Sequence, residues 1–287
     1  MTTLGNLTKD DRILILSPHL DDAVLSAGGL IDLAVKQQCA VIVGNIFTAD
    51  ARIDEEPSQL VKELHAWWGL GSNPYRVRRK EDAASLALLG ADVLQGGLLD
   101  SIYRMSRRRA YLYPTRQAVF SAPAIDDPAW KELKLLLAKW LADVRPTVIL
   151  CPMAVGRHVD HVVTTEALRK NISEQSVDVY LYEDIPYAAG FFPPKFADSV
   201  PAARERSSWE IGDHVDVAVD FAAKFAAVLK YQSQIAEIFP GLDPETELRR
   251  YMRSDGDGAY RERFWRVASS RTERPANVLV GSQVFEG

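Results

Sequence analysis

Cysteine is scarce in this chain: two residues among 287. Cys39 opens CAVIV and Cys151 closes VILC, each beside or within an apolar run that reads as a strand. Both are expected as reduced core thiols, which excludes a disulfide framework and a thiolate metal site. Long apolar runs are missing as well, since no stretch reaches the roughly 18–20 residues that a membrane span needs. The N-terminus, MTTLGNLTKDDR, shows no basic segment leading into an apolar one. No secretory signal is therefore visible, and a cytoplasmic protein is expected. An excess of positive charge is also lacking: 34 Lys and Arg stand against 39 Asp and Glu, a net charge of -5. That balance argues against a general nucleic-acid binder.

What is present is an ordinary globular composition, 47% hydrophobic and 25% charged, in a chain long enough to bury a sizeable core. The first half alternates β-like apolar runs (12–16, 40–47, 91–99) with segments of helical period (22–38, 58–68, 76–89). Residues 101–128 read as a polar, basic loop, long enough to suggest a functional excursion. An amphipathic helix at 130–144, a buried strand at 147–151, a helix from about 159 and a strand at 177–182 follow. After Pro186 come an aromatic loop, a β-like stretch at 209–219 and a helix at 221–238. The expected fold class is α/β: a Rossmann-like, mainly parallel sheet with helices on both faces and a C-terminal α+β extension. One domain over 1–287 is expected, with its core at about 10–185 and the extension at about 186–287.

In such sheets ligands sit beyond the carboxyl ends of the strands. The first strand runs into SPHLDDAVLSAGG, with His19, Asp21 and Asp22, and the strand ending at Cys151 runs into GRHVDH, with His158 and His161. Three of the five histidines lie in these two loops. Two imidazoles and a carboxylate, from His19, Asp22 and His161, suit a catalytic zinc with an open position for water. Asp21 could then face the water as a general base, and His158 could stabilise an oxyanion or protonate a leaving amine. Blander readings stand beside these: Asp22 as a helix N-cap, and the HxxH pair as capping or solvent-facing histidines.

The combination of His19-Leu20-Asp21-Asp22, Gly28-Gly29 and His158-Val159-Asp160-His161 resembles the LmbE-like or PIG-L family of zinc-dependent N-acetylglucosaminyl deacetylases. Arg78 to Glu81 with Leu89-Gly90, Leu99-Asp100, and Lys224 with Tyr231 to Gln234 extend the likeness along most of the chain. The resemblance implies His19, Asp22 and His161 as zinc ligands, with another divalent metal as an alternative. It implies Asp21 as the base and His158 as the group on the tetrahedral intermediate, with Asp160 orienting His158 through a hydrogen bond. Arg78 and Asp100 match positions that bind sugar hydroxyls. Leu20 and Ala23 depart from the usual Pro and Glu of the first motif and bear on the substrate.

The implied activity is removal of an N-acetyl group from an amino sugar or sugar-containing metabolite, with a small-molecule N-acetylated sugar or glycoconjugate as partner and no nucleic acid. Alternatives are an amidase acting on a longer N-acyl or peptide-like amide and an inactive carbohydrate-binding relative; a homo-oligomer is compatible with either. Two basic clusters, Arg76 to Lys80 and Arg104 to Arg109, read as solvated surface or as recognition of an anionic substrate. Tyr103, Tyr111 and Tyr113 could stack on sugar rings or pin their loop. Tyr187, Phe191 and Phe192, with Pro193 and Pro194, make a second candidate rim. Gly28-Gly29 reads as a close helix–sheet contact and lacks a dinucleotide fingerprint. His65 and His214 are expected to lack partners, and Trp67 and Trp68 to join the core.

Overall fold

The computed structural model describes residues 4–51, 56–71, 73–172, 177–190, 198–252 and 257–268. Strand β1 (Arg12–Ser17) is buried past its first residue, as a central parallel strand must be. It pairs in parallel with β2 (Ala40–Asn45) on one side and β4 (Val148–Pro152) on the other. Strands β3 (Asp92–Gln95) and β5 (Asp178–Tyr182) extend the parallel set outward. The C-terminal extension continues the same sheet: β7 (Arg261–Val267) runs antiparallel to β5, and β6 (Ile211–Ala218) antiparallel to β7. The order is therefore β3-β2-β1-β4-β5-β7-β6. It reverses between β1 and β4, which opens a crevice beyond their carboxyl ends.

Ten helices are seen among the described residues: α1 (Asp22–Lys36), α2 (Gln59–Trp68), α3 (Pro74–Leu89), α4 (Arg116–Val119), α5 (Ala129–Val144), α6 (Val159–Asn171), α7 (Val200–Arg206), α8 (Phe221–Val228), α9 (Gln232–Ile238) and α10 (Pro244–Met252). Because side chains alternate across a strand, Ile13 and Ile15 enter one core with α1, α3 and α8, while Leu14 and Leu16 enter the opposite core with α5 and α6. A third cluster, joining Leu60, Leu64 and Trp68 of α2 to Ile102, Tyr103 and Tyr113, roofs the strand ends. Both cysteines are buried and free. No helix among the described residues is long and apolar enough to cross a membrane.

Several sequence expectations change. The loop at 101–128 contains a 3-10 turn and α4, and Tyr113 pins it by donating to Asp127 Oδ2 at 2.7 Å. The helix expected over 221–238 is two, α8 and α9, and neither α10 nor β7 was anticipated. Gly28 and Gly29 bring α1 close to the C-terminal extension, where Gly29 N reaches Glu262 of β7, rather than to the parallel strands. A Cβ on Gly29 would stand 2.5 Å from Val219 Cβ, and one on Gly28 3.3 Å from Lys224 Cγ, so the pair admits the β6–α8 connection and α8 instead.

Helix α1 is interrupted at Ala27, with φ -137°. Gly29 N and Leu30 N donate to the two carboxylate oxygens of Glu262 at 2.9 and 2.8 Å, and Lys224 Nζ pairs with Oε1 at 2.7 Å. The acidic group thus caps the second half of the helix, where backbone N–H groups lack helical partners. Gly29→Ala should cost about 1–3 kcal/mol by overpacking against Val219. Denaturant unfolding checks this, and an unchanged midpoint would show that the contact yields freely.

Candidate active site

At the end of β1, Ser17 Oγ donates to His19 O at 2.5 Å and accepts from Ala23 N at 3.0 Å. This folds SPHLDDA into a turn from which His19, Asp21 and Asp22 all emerge. Asp22 is the first residue of α1, and its Oδ2 is the hub of the turn. It accepts from His19 N at 2.7 Å and lies 3.2 Å from His19 Nδ1 and 3.3 Å from His161 Nε2. Asp21, at the N-cap position, makes no side-chain capping bond. The two aspartates are therefore not redundant caps.

Beyond β4 the chain turns through Ala154 and Gly156, both with positive φ, and a Cβ on Gly156 would meet Tyr187 Cγ at 2.6 Å. His158 then caps α6, its Nδ1 accepting from the backbone N–H of Asp160 at 3.2 Å. His161, one turn on, is fully buried, and its Nδ1 stands 2.6 Å from Asp184 Oδ1. The rings of His19, His158 and His161 lie within 4.7–5.4 Å of one another.

The donor set fits a divalent metal. His161 Nε2 is buried with no hydrogen-bond partner; its approach to Asp22 is close in distance but lacks hydrogen-bond alignment. Ligand atoms of His19, His158 and His161 lie within 4.8 Å of one another, as do those of His19, Asp100 and Asp160, while Asp22 Oδ2 stands 3.2 and 3.3 Å from its two imidazole neighbours. Electrostatics agree. Burial opposes a positive His161, but Asp22 and Asp184 outweigh it and push its pKa up to about 9. Burial likewise opposes a charged Asp22, yet His161 and His19 hold it well below the usual carboxylate range. The centre is built to stabilise positive charge.

The cavity above it, about 110 Å³, is lined on one side by His19, Asp21, Asp22, Arg78, Asp100 and His158. Its other walls are mainly apolar, from Leu64 and Trp68 of α2, Phe120, and Ile238 of α9. Asp21 Oδ2 lies 3.6 Å from an Arg78 Nη. Burial and neighbouring Asp22 raise the Asp21 pKa, with Arg78 opposing. Arg78 is held over the rings of Trp68 and Tyr75, 5.2 Å from each centroid, and its Nε has no hydrogen-bond partner. Asp100 Oδ2 accepts from Tyr75 OH at 2.5 Å.

Asp160 departs from expectation. Its carboxylate does not reach His158: Oδ2 lies 3.1 Å from His19 Nε2 and accepts from Ser101 N at 3.1 Å, while Oδ1 pairs with Arg104. It touches His158 only through its backbone N–H. Because His158 Nδ1 accepts that bond, its ring proton sits on Nε2. Burial, with His19 and His161 alongside, holds its pKa well below the ordinary value. A neutral donor, not an imidazolium, is the form this pocket favours.

The first basic cluster divides: Arg78 reaches the cavity, Arg79 binds Thr48 O and Asp50, and Arg76 and Lys80 are exposed. In the second, Arg104 is buried and ion-paired with Asp127 and Asp160, whereas Arg107 to Arg109 are exposed. His65 does have a partner, Tyr103 OH at 2.6 Å, and His214 lies against Trp265 with ring centroids 4.8 Å apart. Trp67 is 49% exposed rather than core, and Trp68 lines the cavity. Tyr187 lines it too; Phe191, Phe192, Pro193 and Pro194 lie outside the described residues.

Asp184 was missed. It follows β5, the strand beside β4, so the strand-end rule that found His158 would also have found it. Glu81, within the Arg78 to Glu81 likeness, accepts from Ser233 N at 2.8 Å and from its Oγ at 2.6 Å, tying α3 to α9.

On α3, Asp82 accepts from Asn45 Nδ2 at 2.6 Å and Tyr231 OH at 2.9 Å. Burial nevertheless pushes its pKa up to about 7, with Asp21 adding repulsion. Since the folded value lies above the unfolded one of about 3.9, the contribution of Asp82 to stability is intact below pH 4 and lost as pH rises through 7. Asp82→Asn removes this titration, and its amide can offer an N–H to Asn45 Oδ1, which has no hydrogen-bond partner. The variant should gain stability relative to the native chain between pH 5 and 8, by on the order of 1–3 kcal/mol. Denaturant unfolding across that range is the check, and a constant difference would refute it.

A buried imidazole–carboxylate cage at the switch point of an α/β sheet is a candidate divalent-metal site of the kind hydrolases use. The family model for PIG-L, GlcNAc-PI de-N-acetylase, matches residues 14–172, and the chain belongs to that family. It is 29% identical over 192 residues to a 2'-N-acetylparomamine deacetylase of Streptomyces fradiae; the match covers 65% of this chain and 61% of that relative's length. A teicoplanin deacetylase solved in a zinc-inhibited form is 29% identical, with a TM-score of 0.76 over 90% of this chain and 98% of that one. A deacetylase of the A40926 pseudoaglycone is 29% identical, with a TM-score of 0.72 over 92% and 99%. An N,N'-diacetylchitobiose deacetylase from Pyrococcus horikoshii, at 19% identity and a TM-score of 0.58 over 93% and 87%, shares the fold.

Proposed function

We propose that this chain is a zinc-dependent hydrolase that removes an N-acetyl group from an amino sugar or sugar-containing metabolite, releasing acetate and a free amine. The observation that carries the reading is the division of labour between adjacent aspartates. Asp22 Oδ2 faces both cage imidazoles, while Asp21 opens onto the cavity beside Arg78. Relatives named for deacetylation of paromamine, teicoplanin and the A40926 pseudoaglycone support it. We read 1–287 as one domain, since the sheet runs unbroken from β3 to β6. Two buried, free cysteines favour a reducing, cytoplasmic setting.

His19, Asp22 and His161 would hold the zinc, which when bound supplies polarisation of the amide carbonyl and acidification of water. Asp21 takes the proton of the attacking water; its raised pKa makes it a stronger base than a free carboxylate. His158 offers its Nε2–H as a hydrogen bond to the carbonyl oxygen as negative charge develops there, and keeps that proton. The proton held on Asp21 passes to the departing nitrogen. Arg78 and Asp100, on the same wall, bind sugar hydroxyls, and Asp184 fixes the ring of His161 through Nδ1.

The apolar walls favour a second reading, hydrolysis of a longer N-acyl amide. Zinc-loaded protein offered free, nucleotide-linked and aglycone-linked N-acetylated sugars should release acetate from at least one. Faster release of a longer acid from matched N-acyl analogues would favour the second reading, and no acid from any of them would sink both.

A further inference from the structure

The excursion after β3 places Arg104 deep in the protein, 1% exposed and outside the cavity lining. Its guanidinium lies over the rings of Phe47 and Tyr113, at 5.0 and 5.5 Å from their centroids. Nη1 forms an ion pair with Asp160 Oδ1 at 2.5 Å and donates to Leu99 O at 3.1 Å, and Nε lies 3.0 Å from Asp127 Oδ1; both carboxylates are fully buried, and the two contacts are close in distance without hydrogen-bond alignment. Such an arrangement is a poor source of net stability, because desolvation of three charges offsets their attraction. What it does supply is orientation. With Oδ1 of Asp160 held by Arg104, Oδ2 is left to face His19 Nε2 at 3.1 Å, braced by Ser101 N. A proton on Nε2 directed at Asp160 leaves Nδ1, the nitrogen beside Asp22, with its lone pair free.

We propose that Arg104 is a positioning residue for the metal centre, acting through Asp160 to fix the ring and tautomer of His19. The inference rests on the reading of His19 as a ligand. It also gives the loop at 101–128 a role other than anion recognition: it carries the cation that aligns a ligand from β1. A lysine in its place reaches one carboxylate at a time, whereas the planar fork of arginine spans two.

The test is zinc affinity of the full chain, measured by chelator competition, with the visible spectrum of the cobalt(II)-loaded protein as a second readout. Arg104→Met should bind zinc about 10–100-fold more weakly, and Arg104→Lys should fall between it and the native chain with a shifted cobalt band. Asp127→Asn leaves the Arg104–Asp160 pair in place, so it should lower stability without changing zinc affinity. Native affinity and an unshifted spectrum in Arg104→Lys would overturn the inference, even if Arg104→Met fails to fold. Equal loss of affinity in Asp127→Asn and Arg104→Met would also overturn it, since the effect would then be a general one on the loop. His19→Ala separates the two layers: undiminished affinity there refutes the ligand reading itself, whereas lost affinity there with native affinity in both Arg104 variants refutes only the role of Arg104.

Discussion

Asp21→Asn should retain its metal while its turnover falls by about 10²–10⁴-fold, the usual contribution of a positioned general base. Its carboxylate stands outside the cage: its ion-pair contact is Arg78 at 3.6 Å, and Asp22 carries both imidazole contacts. The substitution also removes repulsion between neighbouring buried carboxylates, so folding should not suffer. Metal analysis alongside acetate release measures both halves. Retained turnover at full metal content would assign the base elsewhere, and loss of metal would make Asp21 part of the cage.

Asp22→Ala should have the opposite signature, with zinc affinity lowered by well over about a hundredfold, beyond the 10–100-fold typical of outer partners. Its Oδ2 is the one atom that meets His19 N, His19 Nδ1 and His161 Nε2 together, so its loss leaves a buried N–H unpaired and the two rings without a common partner. Asp184→Asn is the calibrating variant. Its amide oxygen can still accept from His161 Nδ1, but the amide nitrogen cannot accept from Val155 N as Oδ2 does at 3.0 Å, so charge and one backbone hydrogen bond are lost and the decrease should stay within about 10–100-fold. Chelator competition on both variants tests the order. A larger loss in Asp184→Asn would make the outer carboxylate the dominant one and reverse the roles assigned here.

The parallel strands and the inner residues of the site were legible because each depends on a local pattern. RILILS and VILCP are apolar throughout since both faces are covered, and His19, Asp21, Asp22, His158 and His161 follow immediately at the strand ends. Strand β7 was hidden for the converse reason. In RERFWRV the alternation is broken by Glu262, a charged residue on a buried face, tolerated there through Lys224 and two backbone N–H groups. Arg104 looked like one of a run of surface arginines, because nothing local announces that Asp127 and Asp160 will close around it. The family resemblance pairs Asp160 with His158, which it meets through its backbone N–H, whereas the fold brings His19 from the end of β1 to its carboxylate. Residues whose partners lie far along the chain carry no local signature.

The interruption of α1 has a consequence for synthesis. His19, Asp22 and His161 have all been synthesised once the first 161 residues are made, and the family stretch is complete at 172. The carboxylate that steadies His161 arrives only with residue 184, and the one that caps α1 beyond Ala27 only with residue 262. An N-terminal half that folds early therefore carries these three side chains before the groups that support them are made. The half of α1 beyond Ala27 stands uncapped, and His161 without its carboxylate partner, until the C-terminal part of the sheet has been added.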